Sequence, residues 1–430
     1  MVPLAVHELP LCVAMIGLLV LAVQVLDDPR QLLRPSIAVA IMQLAFVVPG
    51  AVLATEMPGG MSIDEDLRVA VCAVPLVLAL VALLTRESSA RSAALVRHCR
   101  GALAGPGERN LAVLLSLAAM VLTVAVLTLL PWSEVGLFAL LSNPEDSLAA
   151  RAASLRALEV PELKTLIGVF NRIAVPICLG MLACLPLTAV RRLLLVPLAG
   201  GPILLLALGG ARLQLVLGVV MLSIGFVIRR WSAWSVLRFT VIVAIAGLTM
   251  TAATAARIGF DRTIADVYER VVYRATIQPF MAGVIHHVYA EQMGGWGSEA
   301  FGFPLKRSLG FEHIEPSEVV GAWFAPDTGT LVTPPAVMDL MTSFGVPLGM
   351  LGFAAYALLL DIVAGMLLRV PAAAAVGGLT ALLVRPIDLV NTTIGTGLTA
   401  IVVLMVFALL FRSSPRVRTH PGAFAIRVPS

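Results

Sequence analysis

Residues 111–130 read LAVLLSLAAMVLTVAVLTLL, twenty consecutive positions without a charge. A bilayer span takes about 20 mostly apolar residues, and runs of this kind recur along the whole chain. Of its 430 residues 59% are hydrophobic and 13% charged, and the mean hydropathy is +0.97. A soluble domain does not have this balance. The fold class read from it is all-α: a polytopic membrane helical bundle of about eleven transmembrane helices, with a large loop subdomain on its outer face.

The expected spans are Leu11–Val25, Ser36–Ala54, Leu67–Leu84, Leu111–Leu130, Ile173–Val190, Leu193–Leu208, Leu213–Ile228, Val236–Ala253, Phe344–Leu368, Pro371–Val384 and Ile394–Phe411. They divide the chain into an N-terminal bundle (1–253) with a hydrophilic loop at 131–172, a large loop (254–335), and C-terminal spans with a tail (336–430). Basic residues collect in short cytoplasmic loops. Arg30 and Arg34, Arg86 to Arg109, Arg191 and Arg192, Arg229 and Arg230, Arg369, and the tail from Arg412 all fall on alternate connections. The expected orientation therefore puts the N-terminus and both larger loops outside and the C-terminus in the cytoplasm. The first span lacks a basic leader and is read as retained.

The net charge of +4 follows from this arginine topology, without the aromatic interleaving of a nucleic-acid surface, so nucleic acid is set aside. Cys12, Cys72, Cys178 and Cys184 lie in expected spans and Cys99 in a cytoplasmic connection, which leaves the outer loops no disulfide framework. No Walker-type phosphate loop, nucleophile-elbow serine or zinc-spaced Cys/His pairs occur. No cofactor and no metal are expected. The spans carry few ionisable residues, with Arg68 and Arg238 near span ends and Asp361 towards a cytoplasmic end, and this counts against transport.

The ionisable chemistry is concentrated in 254–335, which holds five arginines and three of the six histidines. Residues 261–293 follow the 3.6-residue period through Ile264, Val267, Tyr268, Val271, Val272, Ala275 and Val284, and Pro279 is expected to kink or break this helical stretch. Arg262, Asp266, Arg270, Arg274 and Gln278 form one row. Arg274 has Arg270 one turn before it and no local acid, a like-charge contact that costs about 0.2–0.5 kcal/mol and that an anion would relieve. A permanently charged planar guanidinium suits a diphosphate. The candidate anion-binding residues are therefore Arg274, Arg270 and Arg257, then Lys306 and Arg307. His286, His287, Glu291 and Asp327 are candidate bases, together with Glu312 and His313; for each of these the alternative is an ordinary surface residue.

Tyr268, Arg274 and Tyr289, then Phe301-Gly302-Phe303-Pro304-Leu305, Asp327-Thr328-Gly329-Thr330, Thr333-Pro334-Pro335 and Phe344-Gly345 with Gly349 to Gly352, together resemble the oligosaccharide repeat-unit polymerases of the Wzy type. These are bacterial inner-membrane proteins with a large periplasmic loop, similar to the C-type glycosyltransferases. The resemblance implies a metal-independent polymerase that uses undecaprenyl-diphosphate-linked oligosaccharide as donor and acceptor to build O-antigen or another surface polysaccharide. It implies membrane lipid and a chain-length regulator as further partners. Arg156 and Arg172, on the other outer loop, are placed to contact a lipid phosphate, with interfacial snorkelling as the plain alternative. Trp296 and Trp323, with Phe301 and Phe303, offer a sugar-stacking surface or membrane-interface anchors. Two other functions share this donor: an O-antigen ligase, which differs in the acceptor, and a transporter or flippase for lipid-linked sugars.

Overall fold

The computed structural model describes residues 7–54, 63–131, 161–186, 189–208, 212–232, 234–243, 273–294, 316–325, 332–388 and 394–412, with a few isolated positions between them. Among the described residues the chain is all helical. In chain order the helices are α1 (Glu8–Asp27), α2 (Pro35–Phe46), α3 (Val48–Leu53), α4 (Glu65–Leu84), α5 (Arg86–Cys99), α6 (Pro106–Leu129), α7 (Pro161–Val169), α8 (Val175–Leu182), α9 (Ala189–Ala207) and α10 (Arg212–Arg229). Then come α11 (Trp234–Val243), α12 (Gln278–Met293), α13 (Pro316–Phe324), α14 (Ala336–Phe344), α15 (Val346–Met366), α16 (Ala372–Asp388) and α17 (Ile394–Leu410). Among the described residues five helical stretches are long and apolar enough to cross a membrane: α1, α2 with α3, α4, α6, and α15 with the short turn that follows it. Apolar helices of 10–17 residues overlap the remaining expected stretches but are shorter than a span, so the structure supports five spans and not the full expected count.

Helix α6 shows why such a sequence needs lipid. Leu114, Leu117, Val121 and Val124 recur at the helical period and are all exposed, while Ala112, Ser116, Ala119 and Val126 on the other face are buried. A contiguous apolar stripe of this kind is covered by acyl chains or by another chain, not by water. Where helices meet inside the bundle, small residues set the spacing. A Cβ on Gly180 of α8 would stand 2.6 Å from Thr380 Oγ1 and 2.8 Å from the Cα of Gly377 on α16, and one on Gly225 of α10 would stand 3.0 Å from the Cα of Gly180.

Two expected spans are built differently. Residues 36–54 form two helices that break at Val47, because Pro49 has no N–H to give and its ring crowds the carbonyl four residues before it. The span expected from Ile173 begins earlier, in α7, and passes through a π-turn at Phe170–Ala174 into α8, where the Val175 N–H bonds back to the Phe170 carbonyl. Pro176 follows directly, and the wider turn opens the backbone ahead of its ring. Arg172 therefore lies within a helical run and is exposed there, rather than in a loop.

The reading that the spans are nearly free of ionisable groups is corrected by the packing. Arg34, counted as a loop charge, is only 1% exposed, and its Nε donates to Asp361 Oδ2 of α15 at 2.6 Å. Its Nη1 donates to the Ala82 carbonyl at 2.8 Å and its Nη2 to Thr85 Oγ1. Asp361 also accepts from the Ser36 backbone N–H at 3.0 Å and from the Ser36 hydroxyl at 2.7 Å. Every polar group of this ion pair faces a partner, which is the condition for keeping it out of water. At the same end of the bundle Glu108 closes two helices: Oε2 accepts from the Gly105 N–H at 2.8 Å and Oε1 from the Ala374 N–H at 2.9 Å.

Candidate functional site at the loop end of the bundle

The opposite end is organised around the C-terminus of α3. Arg68, on the first turn of α4, is buried, and its Nη1 donates to the Ala51 carbonyl at 2.9 Å. Its Nε lies 3.8 Å from Glu65 Oε2, and the same carboxylate lies 3.4 Å from His7 Nδ1. The His7 backbone N–H donates to the Val52 carbonyl at 3.0 Å, so the starts of α1 and α4 are both stapled to the last carbonyls of α3. A guanidinium there offsets the negative end of the helix.

On this platform rests a second π-turn, Tyr273–Ile277, which leads into α12. Gly50 of α3 makes the contact. A Cβ at that position would run into Phe280 and come within 3.0 Å of the Thr276 carbonyl oxygen. The break expected at Pro279 is thus a change of helical form, from π-turn to α-helix, with the proline in the first turn where its missing N–H costs nothing. Gly50→Val is expected to force the turn off α3 and to lower stability by about 1–3 kcal/mol, read as a lower unfolding midpoint in detergent. An unchanged midpoint would mean that this contact is not tight.

The backbone of Arg274 lies in this π-turn, while its side chain lies outside the described residues. Arg270, Arg257, Lys306, Arg307, Asp327, Trp296 and Arg156 also lie outside the described residues. Helix α12 brings together three of the expected residues, in two very different settings. His286 is 0% exposed, and its Nε2 meets the Val332 carbonyl at 2.6 Å; Val332 in turn donates to the Ser317 carbonyl at 3.1 Å. Burial pushes the imidazole down to about 4, against the smaller opposing effect of the Val332 carbonyl. His286 is therefore neutral at pH 7 and pins α12 to the segment before α14, with no exposure through which to take a proton from a substrate.

This burial carries a pH dependence. The unfolded chain takes up a proton near pH 6.5 that the fold refuses until about pH 4. The stability held by His286 is complete above pH 6.5 and is lost as pH falls through that window, by about 3 kcal/mol at most. Unfolding midpoints measured from pH 7 to pH 4 are expected to fall for wild type and to fall less for His286→Asn. Parallel curves would assign the acid sensitivity to another group.

His287 is mostly buried, 18% exposed, and only Glu291 faces outward. His287 Nε2 lies 3.4 Å from Glu291 Oε1 across one helical turn, and Glu291 is 63% exposed. Of this pair the Glu291 carboxylate is the group open to solvent, and a carboxylate beside an imidazole is suited to general-base work. Trp323 of α13 is half-buried and packs against Tyr289 of α12, ring centroids 5.4 Å apart at 77°, so part of its surface is already used in holding α13 to α12. Met338 of α14 fills the space beside Gly283, and Asp339 of α14 and Arg385 of α16 are further buried charges.

Sequence reasoning placed Arg68 and Asp361 near span ends but missed the burial they share with Arg34, Asp339 and Arg385. One signal was available: a lone acid such as Asp361 within an apolar span implies a partner. The partner's identity was not, because it lies in a distant span. No protein-family model matches the chain, and no curated protein or solved structure shows a significant similarity to it.

Proposed function

We propose that the chain is a glycosyltransferase of the bacterial inner membrane that polymerises undecaprenyl-diphosphate-linked oligosaccharide repeat units, with its active site at the loop end of the bundle, on the periplasmic side. The observation that supports this reading is one junction. The π-turn carrying Arg274 is seated on Gly50, one residue from the Ala51 carbonyl that holds the buried Arg68, and the helix leaving that turn presents Glu291 to solvent with His287 beside it. Arg274 and the exposed Glu291 then belong to one helical run seated on α3.

In the proposed reaction a sugar hydroxyl of the acceptor attacks the anomeric carbon of the donor chain. The bond from that carbon to the diphosphate oxygen breaks, and both electrons leave with the lipid diphosphate. The hydroxyl proton goes to the His287–Glu291 pair. Negative charge grows on the departing diphosphate, and fixed guanidinium groups oriented before the reaction stabilise it most in the transition state.

The test is incubation of the purified full chain, in detergent with EDTA, with the authentic lipid-linked repeat unit. A ladder of lengthening products is expected. Transfer that occurs only after a lipid A-core acceptor is added would make the chain a ligase, and no transfer to either acceptor would overturn the glycosyltransferase reading.

One observation favours the second reading, movement of lipid-linked sugars across the membrane. A fully buried ion pair joins α2 to α15, and α2 breaks into α3 within the same span. Intramembrane charges and interrupted helices are features of transport paths. Fluorescent lipid-linked sugar in proteoliposomes separates the two: appearance in the opposite leaflet without chain growth would support transport.

A further inference from the structure

Helices α10 and α11 leave an open cavity of about 220 Å³ between them at the Arg34 end of the bundle. Arg230 and Arg238 line it together with Phe226, Val227, Phe239 and Ile242 and with Ser223 and Ser235, and its lining surface is mostly apolar. The two arginines that end α10 have separate fates. Arg229 turns inward, where its Nη1 donates to the Ala183 carbonyl at 2.8 Å and closes α8. Arg230 is exposed, and among the described residues no carboxylate pairs with it or with Arg238.

Arg238 is also held in place. Its guanidinium carbon stands 5.5 Å from the centroid of the Trp234 ring, a cation–π contact that fixes the charge beside the cavity. Trp234 is 62% exposed on a helix end, the usual position of an interfacial anchor. From Arg230 back to Phe226, and from Arg238 on to Ile242, each wall runs about 6 Å along its helix at ~1.5 Å per residue, from charged to apolar. A ligand that fits is anionic at one end and aliphatic at the other.

We propose that this cavity binds an anionic phospholipid, its phosphate between Arg230 and Arg238 and the start of one acyl chain between α10 and α11. The assignment rests on charge complementarity. A neutral lipid leaves two guanidinium groups without an anion, and a free phosphate leaves the apolar walls uncovered. The site is independent of the proposed transferase reaction, which takes place at the other end of the bundle.

The purified full chain in detergent is titrated with palmitoyl-oleoyl phosphatidylglycerol, with the matching phosphatidylcholine and with inorganic phosphate, and bound lipid is counted by native mass spectrometry. With about 1 kcal/mol available per arginine near an anionic lipid, wild type is expected to prefer phosphatidylglycerol by about tenfold or more. Arg230→Gln with Arg238→Gln is expected to abolish that preference, whereas Arg369→Gln, an arginine outside the cavity, leaves it intact. Val227→Trp, which fills the apolar part and spares both arginines, is expected to weaken binding as well, so the result does not hang on one variant folding.

Equal binding of the two lipids by wild type would overturn the proposal, as would a preference that survives in the double variant. Displacement of phosphatidylglycerol by millimolar inorganic phosphate would show that the arginines take phosphate alone, and would overturn it too. A dimer that the double variant dissolves, with no lipid preference, would put a second copy of the chain in the cavity.

Discussion

Arg274→Ala is expected to lower the rate of ladder formation by roughly a hundred- to a thousandfold, while the protein still purifies as a folded, monodisperse species. The size of the effect follows from timing. A guanidinium that meets the diphosphate equally before and during bond breaking would change only substrate affinity, whereas one aimed at the charge that develops changes turnover. The local backbone is unusual. Tyr273–Ile277 is a π-turn, a form that is rare in helices and frequent at functional sites, and it is clamped from below by Gly50. Arg274→Lys keeps the charge and loses the planar fork, so an intermediate rate is expected. Initial rates of polymerisation with saturating lipid-linked substrate decide it. A variant within about threefold of wild type would remove Arg274 from the reaction, since a transition-state cation contributes far more than that.

The second large effect is on stability. Asp361→Ala leaves the Arg34 guanidinium buried without its carboxylate, and about 3–5 kcal/mol is expected to be lost. Ser36 also loses the acceptor of its N–H and its hydroxyl. The measurement is the unfolding midpoint in detergent together with the yield of membrane-inserted protein. Arg34→Met combined with Asp361→Leu removes both charges and their desolvation penalty, and is expected to recover most of the loss. The double variant also separates the two functional readings. Under the glycosyltransferase reading it is stable and forms ladders, because the pair only fixes how α2, α4 and α15 pack. A stable double variant that makes no ladder, and in proteoliposomes no longer moves lipid-linked sugar, would give the ion pair a part in transport.

The helical class was legible because an uncharged run such as 111–130 has one solution in lipid, and α6 occupies it. Breaks within helices were less legible. Pro49 lies inside an apolar run, and nothing in composition says whether a proline kinks a span or divides it. Arg172 was placed in a loop because a charge was read as the end of a span, yet an exposed arginine on a π-turn interrupts nothing. His286 and His287 are neighbours of the same residue type. From Pro279 to His286 every position of α12 is buried, so its first two turns have no polar face for periodicity to find. The next position, His287, is the first to reach the surface. Burial there is decided by α3 below and by Val332 above, and neither contact is visible in the local sequence.

The 327-residue separation of Arg34 and Asp361 is also an interval of time. At roughly 5–20 residues per second of synthesis, the carboxylate follows the guanidinium into the membrane about 16–65 seconds later. Throughout that interval Arg34 has no anion to enter the bilayer with, and a position just ahead of the first turn of α2 lets it wait in the aqueous phase. Emergence of α15 then supplies the carboxylate that completes the contact with α2. Any nascent chain cut short before Asp361 keeps an orphan arginine at the membrane surface, a difference that quality-control proteases can act upon.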